Sequence, residues 1–137
     1  MGYRSDVVLM AVFANAEQHD EVMAVYRMDA NVQGHDLEKA WRRVDLKDGE
    51  VVRIYEGNSV KWYESYEDVQ GLEYLSALLD TFHEERQFDY AWGSARVGEE
   101  TDDTVLDVFA PSTDKSEELR DMIYDGLSIS RAIQLGF

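Results

Sequence analysis

Nine carboxylates in the last third of the chain have the types and spacing that say most about chemistry. Five of them, Asp114, the adjacent Glu117 and Glu118, Asp121 and Asp125, are set three or four residues apart from one position to the next. On an α-helix, at 100° per residue, all five lie within about 100° of one another, and the three- and four-residue steps set acids roughly 4.5–6 Å apart along the axis. Such an array can stand in for phosphates against a groove of Arg and Lys, through charge-assisted hydrogen bonds. The plainer reading is a solvated outer face. The other four, Glu99, Glu100, Asp102 and Asp103, flank Thr101 within five residues. Oxygen-rich loops bind Ca²⁺ or Mg²⁺ when enough ligands converge. The EF-hand pattern D-x-[DN]-x-[DN]-G is missing here, so the expectation is a hairpin tip of solvated acids and no metal.

Other chemistries find less support. His19, His35 and His83 are scattered, each beside an acid, with no H-E-x-x-H or other paired ligand spacing. Ser65, Ser94 and Ser128 have no G-x-S-x-G context, and neither a P-loop nor a G-x-G-x-x-G occurs. Cysteine is absent, which removes disulfides, thiol nucleophiles and thiolate metal sites. No cofactor is expected. Lys61-Trp62-Tyr63 with Tyr66 sets aromatics beside a cation. Base stacking there is opposed by the chain's negative field, so packing under the following helix is the expected role. If 60–63 is a strand, Trp62 and Tyr63 face opposite sides, and an exposed one would suit a protein-binding hot spot.

These residues need elements to hold them. Val7–Phe13 is apolar throughout, as a central strand covered on both faces requires. Asn15 can cap a helix reaching about Met28, and Asp36 a second one carrying Leu37, Ala40, Trp41 and Val44. After the Lys47-Asp48-Gly49 turn, Val51–Glu56 alternates as a strand. Gly57-Asn58 is then either a hairpin turn or a bulge within one long strand. Ser65 and Asp68 resemble a capping box for a helix from Tyr66 to about Arg86, with Val69, Leu72, Leu75, Leu79 and Phe82 on its apolar stripe. Phe88 to about Val97 and Thr104–Ala110 read as an antiparallel hairpin around the acidic loop. Ser112 or Thr113 caps the acidic helix, whose Leu119, Met122 and Ile123 turn inward, and Leu127–Leu135 alternates as a last strand.

The order strand–helix–strand–helix–strand–strand–helix–strand predicts an α+β fold. The expected form is a single two-layer domain over 1–137, with a mixed or antiparallel sheet and helices packed mainly on one face. The length suffices for a real core, and 45% hydrophobic residues argue for a folded globule despite the charge. The net charge is −16, and residues 99–125 carry half of it as ten acids against two bases. That field repels nucleic acid and anionic membranes and favours basic protein surfaces. No apolar run is long enough to cross a bilayer, and the composition suits a reducing cytoplasm.

Three segments carry a resemblance: Met1-Gly2-Tyr3-Arg4-Ser5-Asp6-Val7, Val60-Lys61-Trp62-Tyr63-Glu64-Ser65-Tyr66-Glu67-Asp68-Val69, and Arg96-Val97-Gly98-Glu99-Glu100-Thr101-Asp102-Asp103. In this order they resemble a group of small bacteriophage and prophage proteins that open with M-G-Y-R-S-D-V. The resemblance implies a phage origin and a small α+β domain, and brings no catalytic residues with it. Asn31–Val44 departs from it as extra helical material. Arg4, Asp6, Lys61 and Arg96 fall at predicted strand ends with the acids of 99–103, either as one polar site or as structural cross-strand pairs.

The functional expectation is a non-enzymatic phage accessory protein that binds and inhibits a host protein. Its target would be nucleic-acid-handling or defence machinery such as a CRISPR effector, met by DNA mimicry in the host cytoplasm. The binding residues would be Asp114, Glu117, Glu118, Asp121 and Asp125, with Glu99, Glu100, Asp102 and Asp103. The partner would be the basic surface of a host protein or nucleoprotein complex, without direct binding of nucleic acid or membrane. The alternatives are a small nucleotide- or ligand-binding protein or enzyme of counter-defence, for which Arg4, Lys61, Arg96 and Arg131 are the basic candidates, and a minor virion component.

Overall fold

Strand β1 (Ser5–Phe13) is buried on both faces from Val7 onward, and the architecture follows from covering it twice. The computed structural model describes residues 4–99, 104–129 and 133–135. β1 lies at the centre of a five-stranded sheet ordered β2 (Arg42–Asp45), β3 (Val51–Val60), β1, β4 (Tyr90–Gly98), β5 (Thr104–Phe109). Every neighbouring pair is antiparallel. Val7, Leu9, Ala11 and Phe13 turn to one core, with α1 (Ala16–Tyr26), α2 (Ala30–Gly34) and α3 (Glu67–Arg86). Val8, Met10 and Val12 turn to a second core, under α4 (Asp114–Gly126) and a hairpin of β6 (Leu127–Ile129) and β7 (Ile133–Leu135). The fold is α+β, a single domain with its helices mainly on one face, and α4 adds a partial third layer on the other.

The helix starts follow side-chain chemistry. Asn15 accepts a hydrogen bond from the Gln18 N–H, and Thr113 from the Ser116 N–H, each satisfying a donor that the first turn leaves unpaired. α3 ends where Gln87 turns left-handed and donates its N–H to the His83 carbonyl. β3 is one continuous strand, so the bulge reading of Gly57-Asn58 holds. Opposite Ser5 and Val7 stand Val60 and Gly57, an extra residue on β3. The Asp6 carboxylate accepts from the Ser59 N–H at 2.8 Å and Arg4 Nη1 donates to the Ser59 carbonyl at 2.8 Å, holding Ser59 in its left-handed conformation.

Four local expectations need correction. The helix expected to open at Asp36 is instead a short 3₁₀ turn, Leu37–Ala40, and Asp36 makes no capping bond. The helical turn lies earlier, in α2, where Asp29 caps Asn31 and Val32. Trp41 leaves the helical path because its indole N–H donates to the buried Tyr26 hydroxyl at 2.9 Å, and Val44 then pairs with Val52 as part of β2. At α3 the capping position is Tyr66 without a side-chain bond, and Asp68 caps locally at Val69. β3 ends at Val60, so Trp62 and Tyr63 are not strand neighbours; Trp62 is half-buried against Tyr55. The last segment folds back on itself as β6 and β7 rather than running on as one strand.

A chain of polar contacts crosses the first core. The His19 ring, 2% exposed, accepts at Nε2 from Arg53 Nε at 3.0 Å and donates from Nδ1 to Asp20 at 2.8 Å. Arg53 also donates to the Trp41 carbonyl, and Tyr26 to the Gly71 carbonyl. Both imidazole nitrogens are used by the neutral ring. Burial, reinforced by the Arg53 and Arg43 charges, holds His19 below its ordinary pKa against the pull of Asp20. An unfolded His19 protonates near pH ~6.5, whereas the native one resists. The stability it contributes is therefore full above that pH and lost as the pH falls through the lowered native value. The melting temperature should fall between about pH 7 and about pH 5. A His19→Gln variant should melt lower overall but with a flatter pH dependence, followed by circular dichroism; an unchanged slope would refute the assignment.

Candidate functional site

α4 is built to hold one face against the sheet and the other to solvent. Leu119 and Ile123 are fully buried in the second core. Gly93 on β4 allows the helix to approach closely, since a Cβ there would lie 2.7 Å from Ile123 Cγ2. The helix N-terminus is tied down from several sides. Asp89 accepts from Thr113 Oγ1 at 2.6 Å and from Ser116 Oγ at 2.9 Å, while Ser116 Oγ accepts from the Tyr90 N–H at 3.2 Å. Lys115 reaches Glu50, the residue before β3, Nζ to Oε2 2.9 Å. Glu50 is 3% exposed, and its hydrogen bond from Lys115 holds the carboxylate below the usual range while Lys115 is raised.

With the inner face fixed, Asp114, Glu117, Glu118, Asp121 and Asp125 are all exposed on the outer one. Only two have a basic neighbour on the helix: Lys115 lies 3.7 Å from Glu118, and Arg120 lies 3.7 Å from Asp121. The side chains are carried on a rigid helix, so their spacing is set before any partner arrives. Tyr124, 52% exposed, borders the stripe about 20° round the helix from Glu117. Sequence reasoning passed over it, although an aromatic beside an acidic stripe is itself a signal of an interface anchor.

The second group of acids divides. Glu99 is not a free patch, because its Oε1 accepts from the Arg4 N–H at 2.7 Å, closing the strand ends around Ser59. Glu100, Asp102 and Asp103 lie outside the described residues. Asp89 anchors α4 at one end of β4, and Glu99 lies ten residues on, roughly 33 Å of extended strand away. Glu99 and the start of α4 are thus at opposite ends of the sheet. Of the cross-strand candidates, Arg4 and Asp6 come together with Glu99 at the β3 bulge, as a structural clamp. Among the described residues, no three or more His, Asp or Glu side chains converge to hold a metal ion, and no helix is long and apolar enough to cross a membrane.

No protein-family model matches the chain, and no curated protein matches it. The outer face of α4 is the candidate surface. Its rigidity rests on the anchor: Ser116→Ala removes the acceptor of the buried Tyr90 N–H and should destabilise the fold by about 1–3 kcal/mol. Denaturant unfolding checks this, and a loss under ~0.5 kcal/mol would mean that the anchor is not needed.

Proposed function

We propose that this chain is a phage-encoded accessory protein that binds a host protein and inhibits it by laying the outer face of α4 on a basic, nucleic-acid-binding surface. One observation carries the reading: five exposed carboxylates stand on one face of a helix locked to the sheet, two of them with a basic neighbour. Their roughly 4.5–6 Å steps suit a groove of Arg and Lys that otherwise holds phosphates, as in a CRISPR effector channel. Tyr124 supplies apolar contact at the rim of the stripe. The resemblance to proteins opening with M-G-Y-R-S-D-V supports the phage origin and a site of action in the host cytoplasm. No catalytic step is needed for inhibition of this kind.

The partner is to be isolated on the tagged protein from infected host cells, and its affinity measured against salt. Binding should weaken as salt rises, and nucleic acid should compete for the same surface. The triple variant Asp114→Lys, Glu118→Lys, Asp121→Lys should lose at least about a hundredfold in affinity, with an unaltered circular dichroism spectrum. An affinity unchanged by the triple variant at low salt would overturn the proposal.

A further inference from the structure

Strand β5 has a partner on one side only. β4 pairs with it throughout, and among the described residues no strand pairs with its other edge. A free edge presents a row of unpaired N–H and C=O groups. Natural edges are often blunted by Lys or Pro, but Thr104–Phe109 contains neither, and Leu106 and Phe109 are 41% and 45% exposed. Register fixes their directions. Phe109 stands opposite Trp92 on the α3 side of the sheet, and Leu106 opposite Ala95 on the α4 side. The edge therefore exposes apolar surface on both faces.

At the C-terminal end of β5 the α3 side opens into a groove of about 500 Å³ between α3 and the run into α4. Asp80, His83 and Glu84 form its α3 wall, and Tyr90, Phe109 and Pro111 its other surfaces. Its polar groups are mainly acceptors. Tyr90 already donates its hydroxyl towards Asp80 at 3.4 Å. His83 Nδ1 lies 2.9 Å from the Phe88 carbonyl, which can only accept, so in the neutral ring Nε2 is the acceptor left over. Among the described residues, no Lys or Arg lines the groove. Burial, with the Asp80 and Glu84 charges, pushes the Tyr90 hydroxyl up to about 12, as a negative pocket should. A group that suits such a place has several N–H donors, a positive charge and flat apolar faces, which describes a guanidinium. The chain already uses that contact nearby, with Arg86 4.7 Å above the Phe88 ring.

We propose that the free edge of β5 and the groove at its end bind an extended, arginine-bearing segment of the partner, which continues the sheet and sets a guanidinium against Asp80, Glu84 and Phe109. This rests on the proposed function for the existence of a basic partner, and it names the partner segment's conformation and anchor. A strand added to β5 lies about 4.8 Å from it and raises every second side chain on the α3 side, where Asp107 is also exposed. A second copy of this chain fits poorly. Two β5 edges together would juxtapose their Asp107 carboxylates between molecules that each carry −16.

The test uses the whole protein and an end-blocked decapeptide of alternating Arg and Val. Its controls are the same peptide with Glu for Arg and a helix-forming Ala-rich peptide of equal positive charge. Fluorescence anisotropy should show saturable binding of the Arg-Val peptide alone, and hydrogen exchange of the Val105–Phe109 amides should slow on binding. The double variant Asp80→Asn, Glu84→Gln, and separately Phe109→Ala, should each weaken binding at least about tenfold with the fold intact by circular dichroism. Equal affinity for the helical peptide, unchanged binding by both variants, or dimerisation through β5 in sedimentation would overturn the inference. The α4 triple variant separates it from the proposed function. Binding lost on α4 but retained in the groove variants places the basic partner on the helix and overturns the inference alone. Binding lost in the groove variants but untouched on α4 supports the inference and overturns the α4 proposal.

Discussion

Burial of β1 on both faces is the constraint on which the rest of the molecule depends. Seven consecutive apolar side chains from Val7 to Phe13 are at most 6% exposed, so neither face of the sheet can be left to water. Burying one such side chain is worth about 1.5–3 kcal/mol, and leaving a face open would forfeit several at once. One layer of helices covers Val7, Leu9, Ala11 and Phe13, and a second cover becomes obligatory for Val8, Met10 and Val12. α4 meets that obligation with only a narrow stripe of residues, chiefly Leu119 and Ile123. Its remaining circumference is left to solvent, and there the acids accumulate.

The same division sets what the surface can do. A carboxylate array on a flexible tail would have to be ordered at the moment of binding, at a cost in conformational entropy. On α4 that ordering is already done by the fold, through the Asp89, Thr113 and Ser116 hydrogen bonds and the Lys115–Glu50 pair. The Glu50 carboxylate is buried, so removing Lys115 would strand its charge, whereas Glu118 and Asp121 are exposed and open to a partner's cations. The carboxylate that anchors, Glu50, is thus buried off the helix, while the carboxylates that greet a partner stand on its outer face, with Lys115 between Glu50 and Glu118.

Features whose signal is local were legible in the sequence. The unbroken apolar run of β1, the spacing of Val69, Leu72, Leu75 and Leu79 in α3, and the three-and-four spacing of the α4 acids each report a single element against its own core or solvent. Features decided by distant partners were not. Leu37, Ala40, Trp41 and Val44 fit a helical stripe, yet Trp41 is claimed by the Tyr26 hydroxyl fifteen residues earlier, and Val44 by Val52. The fold-back of β6 on β7 also rests on pairing between residues up to eight apart, Leu127 with Leu135. Likewise, that β5 ends the sheet with one bare edge depends on strand order, which no single segment encodes. Of the candidate site, the carboxylates were visible in advance, but Tyr124 and the groove beside Phe109 were not.

The placement of α4 has a consequence for the chain as it is made. A ribosome delivers β1, β3 and β4 together with α1, α2 and α3 before α4, and these elements already hold the residues of the first core. Until the last third emerges, Val8, Met10, Val12, Val52 and Ile54 form a continuous β-rich apolar strip with nothing over it, the kind of surface on which nascent chains stick to one another. Residues 99–125 then arrive with half of the net negative charge and with the helix that seals the strip. Closure of the core and mutual repulsion between chains are therefore gained in a single late step of synthesis.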